Sequence, residues 1–269
     1  MAGDGLAVAI DVGTTNSLVG VWENDNVTYL KNDNGGRLIP SCVAFTDNEC
    51  LVGESAKNQA DSNAPNTIFG ITRLIGHKFS DLEVQKEIKT WSCKVICGPD
   101  NIPQVVVRFK GKKRAFYPVE IMAIILAHLR ERVKVTMRKK VKNVVLIVPA
   151  RFNHSQQQAM KDAGAIAGLN VIRLISGPTA ASIAYGLERK DKAVQQTVLV
   201  YDLGGGTLDV SLVSIEGDIY EVLAIAGDAH FGGEDFDNCL VDHCVEEFKK
   251  VYQQDLRANE RAMIRLRMA

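Results

Sequence analysis

The stretch AVAIDVGTT at residues 7–15 has a counterpart in VLVYDLGGGT at residues 198–207. Each is an apolar run of strand type that ends in an aspartate, then a tight turn rich in glycine and threonine, then a second run of strand type. Glycine permits backbone conformations that aim successive N–H groups into one concavity, and such a concavity binds phosphate oxygens. The aspartates, Asp11 and Asp202, fall where a divalent metal bound to that phosphate would lie.

The two stretches admit two interpretations. Taken singly, each is an ordinary β-hairpin with a glycine turn. Taken as a pair, they predict two opposed hairpins that clamp one polyphosphate. The sequence has no GxxxxGK[ST] motif, and Gly204, Gly205 and Gly206 do not complete a GxGxxG motif. Because both glycine turns lead into strands, capture of phosphate by a helix N-terminus is not the predicted mechanism.

Composition and charge narrow the class of protein. The chain has 269 residues, of which 46% are hydrophobic and 24% charged, so it can bury one large core or two smaller ones. Its 32 basic residues balance 32 acidic ones, which predicts no nucleic-acid partner and no attraction to an anionic membrane. No apolar run approaches the ~18 residues of a membrane span, and the first residues lack a signal-peptide pattern. We therefore expect no membrane association and a cytoplasmic, or also nuclear, location.

Cysteine and histidine spacing argues against a metal or nucleophilic site. The pairs Cys93/Cys97 and Cys239/Cys244 lack the CxxC spacing of zinc ligands, and the five histidines are scattered. We expect the six cysteines to be buried or half-buried thiols.

Hydrophobic periodicity and turn residues predict the surrounding elements. Pro118 opens a helix at 118–136, with a buried apolar stripe at positions 121, 124, 125, 129 and 133. Ser155 is the predicted cap of a helix at 156–167 that ends at Gly168. The other predictions are strands at 6–10, 18–22, 27–30, 105–109, 143–148 and 171–175, a turn at 24–26, a strand meander at 197–225, and helices at 54–59, 179–186, 235–252 and 259–268. They predict a five-stranded mixed sheet, then a second, unfinished copy whose core is open on one side.

Several stretches together have a more specific pattern: IDVGTTNSLVGVW, NTIF, RLIG, VLIVPARFNHSQQQAMKDAGAIAGLNVIRLI, PTAASIAYGLE, VYDLGGGTLDVSLVSIEGDIYEV and AGDAHFGGEDFD. They resemble the nucleotide-binding domain of the seventy-kilodalton heat-shock chaperones, the Hsp70 family. The resemblance implies an α/β, actin-like (ribonuclease H-like) ATPase fold with two lobes, the second incomplete. Lobe I would span 1–188, with subdomain IA at 1–38 and 116–188 and subdomain IB at 39–115. Lobe II would span 189–269, with subdomain IIA and the start of IIB.

The resemblance also implies a site for ATP or ADP with Mg²⁺. Asp11, Asp202 and Asp209 would orient Mg²⁺ and the attacking water, and Asp11 and Asp202 would hold the metal mainly through its water ligands. The Thr207 hydroxyl would lie near the attacking water and complete the catalytic set. The residues expected to hold the nucleotide are Gly13, Thr14, Thr15 and Asn16, then Gly204, Gly205, Gly206 and Thr207, and then Gly232, Gly233 and Glu234.

Partners follow from the same resemblance. J-domain co-chaperones and nucleotide-exchange factors are implied, with Arg173 at the J-domain contact and Pro149 as the residue that couples the lobes. The family's adenine-binding helix, its GGSTRIP-type motif and its peptide-binding domain have no counterpart here. We therefore expect nucleotide binding weaker than micromolar, and binding of unfolded polypeptide only if a C-terminal domain exists.

The departures from the family pattern cluster at the predicted site. Thr72 stands in place of the catalytic lysine and Gly177 in place of an acidic residue, and no neighbouring residue is expected to supply the lost cation. Gln157 replaces the arginine that partners the coupling proline, and Arg151 and His154 replace a tyrosine and an aspartate. Because a group such as this lysine is commonly worth ~10²–10³ in rate, we expect ATPase activity to be weak or absent while phosphate binding is kept.

Three functions remain open. The first is the ATP-binding domain of an Hsp70-like chaperone, ATP- and Mg²⁺-dependent in protein folding, with impaired hydrolysis. The second is a non-catalytic interaction module that binds co-chaperones, or a truncated product without chaperone activity. The third is a small-molecule kinase of the same superfamily, which the lack of a sugar-binding insertion disfavours.

Overall fold

A computed structural model of the chain describes residues 6–23, 26–189 and 194–268. Its strands are β1 (Leu6–Val12), β2 (Asn16–Glu23), β3 (Asn26–Tyr29), β4 (Ile39–Pro40), β5 (Val43–Phe45), β6 (Cys50–Val52), β7 (Thr67–Ile68), β8 (Lys94–Cys97), β9 (Pro103–Phe109), β10 (Lys112–Phe116), β11 (Val141–Val148), β12 (Asn170–Ser176), β13 (Gln196–Leu203), β14 (Leu208–Glu216) and β15 (Ile219–Asp228). Its α-helices are α1 (Glu54–Asn58), α2 (Leu82–Glu87), α3 (Pro118–Met137), α4 (His154–Ile166), α5 (Gly177–Glu188), α6 (Gly233–Tyr252) and α7 (Glu260–Met268). We refer to the described residues up to 189 as the N-terminal segment and to 194–268 as the C-terminal segment.

The largest sheet is built around the first glycine-turn stretch. Its strand order is β12-β11-β1-β2-β3, with β1 parallel to β11 and antiparallel to β2. The two-residue strand β4 also pairs with β2. The predicted five-stranded mixed sheet is therefore confirmed, with β4 as a sixth strand that is too short for periodicity to reveal. Part of the predicted turn at 24–26 lies outside the described residues.

The main hydrophobic core lies in the N-terminal segment and includes this sheet, α3 and α4. Ile121 and Leu129 of α3 are fully buried, whereas Ile124 of the predicted stripe is only half-buried. Pro118 occupies the first turn of α3, where an N–H would have no partner within the helix. The core thus includes Val8, Ile10 and Val12 of β1, the strand that leads into the first glycine turn.

The start of α4 differs from the prediction. Asn153, not Ser155, is the cap, because the N–H of Gln156 donates to the Asn153 side chain at 2.9 Å and the N–H of Asn153 donates to the Gln156 side chain at 3.0 Å. This reciprocal pair is a capping box. The predicted end is confirmed, since Gly168 has the left-handed φ of 72° that glycine favours after a helix.

The C-terminal segment contains an antiparallel sheet of order β13-β14-β15. One face packs against α5. On β13, by contrast, Leu199 is 67% exposed and Tyr201 62% exposed, and Leu203 is also exposed. The predicted second strand meander is confirmed. The predicted open side of its core is confirmed too, since the apolar side chains of β13 are exposed.

The cysteine prediction is partly wrong. Cys42 and Cys93 are buried, and two further thiols are half-buried, but Cys97 and Cys239 are exposed. No helix in the described part of the chain is both long and apolar enough to cross a membrane.

Candidate functional site

Two glycine loops with the same local geometry follow β1 and β13. In the first glycine loop, residues 13–15, the N–H of Gly13 donates to the carbonyl of Asn16 at 3.1 Å. In the second glycine loop, residues 204–207, the N–H of Gly204 donates to the carbonyl of Thr207 at 2.9 Å. In each loop the N–H of the first residue thus bonds to the carbonyl three residues later, which closes the hairpin at its tip. The repeated sequence pattern therefore corresponds to a repeated backbone structure.

The two loops touch one another. A Cβ built on Gly205 would lie 2.0 Å from the Thr15 hydroxyl oxygen, and one on Gly206 would lie 2.7 Å from the Thr14 hydroxyl oxygen. A chamber of about 10 Å³ adjoins the loops and is lined by Thr14 and Thr207 among others. This volume is enough for about one water molecule. The hairpins are thus opposed as predicted.

Three aspartates lie where the strands meet the loops. Asp202 on β13 and Asp209 on β14 are directly paired across the strands. Desolvation of its carboxyl group and the charge of Asp202 raise the pKa of Asp11 to about 6, although the residue as a whole is exposed. Burial also raises the pKa of Asp209, an effect that a hydrogen bond from the backbone of Ala150 opposes. Carboxylates crowded in this way are stabilised by a nearby cation.

The donor set suits a hydrated cation. Among the described residues, no group of three or more His, Cys, Asp or Glu side chains is placed to hold a metal ion. The carboxylate oxygens of Asp11 and Asp202 fit Mg²⁺, which keeps several waters and commonly takes one or two carboxylates from the protein.

Three predicted site residues at the start of α6 pack against the second glycine loop, namely Gly232, Gly233 and Glu234. The N–H of Gly233 donates to the carbonyl of Gly204 at 2.9 Å, and the N–H of Glu234 to that of Gly205 at 2.8 Å. The Glu234 carboxylate accepts a hydrogen bond from the Thr15 hydroxyl at 3.1 Å, which links the two segments. A Cβ on Gly232 would lie 2.6 Å from the loop backbone, so only glycine fits there.

Comparison with known proteins gives the family. The Hsp70 protein family matches residues 7–269 of this chain. The chain belongs to the Hsp70 family. Heat shock cognate 70 kDa protein 3 of Dictyostelium discoideum is 52% identical over 265 residues, which are 98% of this chain and 42% of that protein. Heat shock 70 kDa protein of Neurospora crassa is 54% identical over 263 residues, which are 98% of this chain and 40% of that protein. Putative heat shock 70 kDa protein 7 of Homo sapiens is 50% identical over 264 residues, which are 98% of this chain and 71% of that protein.

These matches confirm the predicted family and the predicted α/β, actin-like fold class. The chain spans about two fifths of the length of the Dictyostelium and Neurospora relatives. Membership of the Hsp70 family implies nucleotide binding by this domain, and Hsp70 proteins work with co-chaperones.

Two departures from the Hsp70 pattern lie directly at the site. Thr72 is buried, and its hydroxyl donates to the Thr14 hydroxyl at 3.0 Å. Gly177 begins α5, and a Cβ there would lie 2.9 Å from the Asp202 carboxylate. The lysine and the acidic residue of the Hsp70 pattern would therefore stand beside the first glycine loop and beside Asp202.

The remaining departures lie around the end of β11. The side-chain amide of Gln157 donates a hydrogen bond to the carbonyl of Phe152 at 2.9 Å, so Gln157 bonds to a residue near it in the sequence. Pro149 lines the small chamber between the loops. Arg151 donates instead to the carbonyl of Gly227 in the C-terminal segment. His154 is exposed at the first position of α4.

A cation does lie beside position 72, but three carboxylates already surround it. Arg73 is 5% exposed and bonds to Glu87 at 2.9 Å, Asp235 at 3.3 Å and Glu234 at 3.7 Å. Its guanidinium also lies 3.5 Å from the carbonyl of Gly206 in the second glycine loop. The signal in the sequence was a charged residue inside the apolar run ITRLIG, since a buried arginine must find partners.

Arg173, the predicted J-domain contact, lies on β12 and is exposed. β12 is the outermost strand at its end of the largest sheet. A partner can therefore reach this side chain without unfolding any element.

Proposed function

We propose that this chain binds ATP with Mg²⁺ between its two glycine loops and hydrolyses it slowly, as the nucleotide-binding part of an Hsp70-like chaperone. The main support is the apposition of the two loops beside Asp11, Asp202 and Asp209. Backbone N–H groups of both loops would bind phosphate oxygens from opposite sides. Such a clamp needs both segments and so couples nucleotide binding to their relative position.

The aspartates and Thr207 would perform the chemistry. Asp11 and Asp202 would hold Mg²⁺ through its water ligands, and the ion would offset phosphate charge. Asp209 and the Thr207 hydroxyl would orient the attacking water. Phosphoryl transfer depends on positioning and charge compensation, so a neutral Thr72 slows hydrolysis more than it weakens phosphate contact.

Arg73 does not restore the missing positive charge. Three carboxylates, Glu87, Glu234 and Asp235, lie within 3.7 Å of its guanidinium. Their combined charge exceeds that of one arginine, so this cluster adds no net attraction for phosphate. Slow hydrolysis therefore remains the proposal with Arg73 included.

The wider role follows the family. We propose the lobe and subdomain division given by the Hsp70 resemblance, with the boundary at 188–189 beside residues 190–193, and a cytoplasmic or nuclear chaperone role in protein folding and the stress response. J-domain co-chaperones would contact Arg173, and nucleotide-exchange factors would act on the cleft.

Calorimetry with MgATP tests the binding proposal. We expect a dissociation constant above micromolar, because the closed loops must first separate and this lowers the apparent affinity. Gly205→Ala should weaken binding at least ~10-fold, because its methyl group would project from the second glycine loop toward Thr15, into the space that a phosphate between the loops would fill. Gly20→Ala is the matched control, because a Cβ there makes only ordinary contacts on β2. Equal binding by the two variants, or no binding by the unchanged chain, would contradict the proposal.

The non-catalytic interaction module is the second candidate. The exposed position of Arg173 and the local bonding of Gln157 support it, because docking requires no chemistry at the loops. Binding of a J-domain that Arg173→Ala abolishes, in a chain that gives no calorimetric signal with MgATP, would favour this candidate.

A further inference from the structure

The hairpin of β9 and β10 carries a dense run of positive charge. Five of the seven residues from 108 to 114 are cationic, namely Arg108, Lys110, Lys112, Lys113 and Arg114. In the described part of the chain one ion pair reaches them, between Arg108 Nε and Asp47 at 3.7 Å, and both of its side chains are 65% exposed. Because water screens such a pair, it offsets little of the charge. The hairpin therefore has a local excess of positive charge, although the chain as a whole is neutral.

The geometry of the hairpin sets two of these cations against each other. Lys110 and Gly111 form its turn with φ of 51° and 73°, as a two-residue turn of type I′ requires. Lys113 on β10 is then the direct cross-strand partner of Arg108 on β9. Like charges in directly opposite positions destabilise a strand pair. The stability of the hairpin does not favour this arrangement, and an anionic partner would relieve the repulsion.

β10 also offers an open backbone edge. The sheet has the order β10-β9-β8, so β10 is an outer strand. Phe109 and Lys112 flank the turn as a hydrogen-bonded pair, so the alternation along antiparallel strands directs the N–H and C=O of Lys113 and Ala115 away from β9. No loop among the described residues bonds to these backbone groups, and β10 is exposed from 112 to 115. An extended peptide can therefore pair with β10 as an added strand.

The side chains indicate which chemistry this edge fits. Lys110 Nζ lies 5.3 Å and the guanidinium carbon of Arg114 lies 5.5 Å from the centre of the Phe109 ring, and the Phe45 ring is 5.4 Å away. The Phe109 ring is thus occupied by protein side chains rather than open for stacking on a nucleic-acid base. The exposed positions of β10 hold three cations and Ala115, so they present no large apolar group to a bilayer. Backbone pairing and positive charge together fit an acidic polypeptide.

We propose that β10 binds an extended acidic segment of a protein partner by strand addition. Alternate side chains of an added strand share one face, so alternate carboxylates would lie beside Lys113 and Arg108. None of the residues predicted to hold nucleotide or metal lies on β8, β9 or β10. The proposal therefore goes beyond the proposed function and does not depend on it.

The test is fluorescence anisotropy with a labelled peptide of eight residues in which glutamate and threonine alternate. A second peptide with proline in place of one central threonine is the matched probe, because it keeps every charge and loses a backbone donor. We expect the first peptide to bind the unchanged chain at least ~10-fold more tightly than the second, with an affinity that falls as salt rises. Equal binding of the two peptides, or no binding of the first at low salt, would overturn the proposal.

Variants of the chain separate the backbone edge from the charge. Ala115→Pro removes the outward N–H without a change of charge, and Ala115→Ser is its control. Lys113→Glu reverses one charge, and Lys161→Glu does so at an exposed position of α4. We expect Ala115→Pro to weaken binding of the first peptide at least ~10-fold and Lys113→Glu at least ~5-fold, with both controls unchanged. Unchanged affinity in Lys113→Glu would overturn the proposal.

Two further outcomes are decisive. If Ala115→Pro does not fold, the comparison of the two peptides on the unchanged chain still decides whether a strand is added. Single-stranded oligoadenylate or phosphatidylserine vesicles that displace the first peptide and depend equally on Lys113 would assign the surface to another class of partner and overturn the proposal. Peptide binding by a chain that does not bind MgATP would instead count against the proposed function alone.

Discussion

The Thr72 hydroxyl donates a hydrogen bond to the Thr14 hydroxyl at 3.0 Å in the buried wall of the first glycine loop. Thr72 therefore supports the loop. It is also a neutral group where the resemblance to Hsp70 predicts a cation, so in the proposed function one position affects both the loop structure and the charge that faces phosphate.

Restoring the cation at this position should increase hydrolysis. We expect Thr72→Lys to raise the single-turnover rate at saturating MgATP by at least ~10-fold, because one such electrostatic group is commonly worth ~10²–10³. Thr72→Val keeps the volume and removes the hydrogen bond without adding charge, so its rate should not rise. An equal gain in both variants, or an unchanged chain already as fast as Thr72→Lys, would show that the missing charge does not limit catalysis.

The acidic residue missing at position 177 should help only when the cation is present. Gly177→Glu alone brings a third carboxylate against Asp202 and Asp11, so we expect lower thermal stability without Mg²⁺ and no gain in rate. Combined with Thr72→Lys, the same substitution should increase hydrolysis beyond the product of the two single effects. A double-mutant cycle on single-turnover rates measures this coupling. Purely multiplicative effects would mean that the two positions act independently.

Removal of Arg73 should destabilise the chain strongly. Arg73→Gln leaves Glu87, Glu234 and Asp235 crowded without their cation, and breaking a buried ion pair from one side commonly costs about 3–5 kcal/mol. The matched control is Arg257→Gln, because Arg257 is 43% exposed and its ion pairs lie at the surface. Such exposed, solvent-screened pairs contribute little to stability. Chemical denaturation should separate the variants clearly, and similar losses of unfolding free energy would contradict the burial of the Arg73 cluster.

Stability without metal should fall as pH rises through about 6. The pKa of Asp11 is about 6 in the folded chain, above its ordinary value of 3.8, so the folded chain retains a proton that the unfolded chain has lost between these values. The free energy of unfolding therefore falls as pH rises from about 3.8 to about 6, and this group causes no further loss above that pH. Melting temperatures of the chain and of Asp11→Asn, measured from pH 4.5 to 7.5 without Mg²⁺, should diverge in favour of the variant as pH rises. Parallel curves would contradict the raised pKa.

Metal binding should show the opposite dependence on pH. Mg²⁺ requires the ionised carboxylate, so the affinity for MgATP should fall below pH 6 by up to about tenfold per pH unit. Calorimetry in buffers of different ionisation enthalpy should detect release of part of a proton. Asp11→Asn should bind more weakly at pH 7.5 and show a flat profile. A flat profile in the unchanged chain would exclude Asp11 from the metal site.

The sequence predicts local structure correctly where a few neighbouring residues determine it. Both glycine loops follow from hydrogen bonds that span three residues, Gly13 to Asn16 and Gly204 to Thr207. The cap of α4 was predicted wrongly because Asn153 and Ser155 are both good cap residues. Only the reciprocal bonds with Gln156, one to its side chain and one from its backbone N–H, favour Asn153. The short strand β4 is not predicted because two residues are too few to show a periodic hydrophobic pattern.

The sequence by itself determined that the chain has two glycine loops and that an aspartate ends the strand before each loop. It also determined which residues differ from the pattern that the Hsp70 resemblance predicts. These features depend on neighbouring residues or on position along the chain. Only the tertiary structure determined which polar and charged side chains lie next to one another. Thr15 binds Glu234 across 219 positions, and Arg73 binds Asp235 across 162. No sequence period links residues so far apart, and the free energy of a buried charge depends on its neighbours in space rather than along the chain.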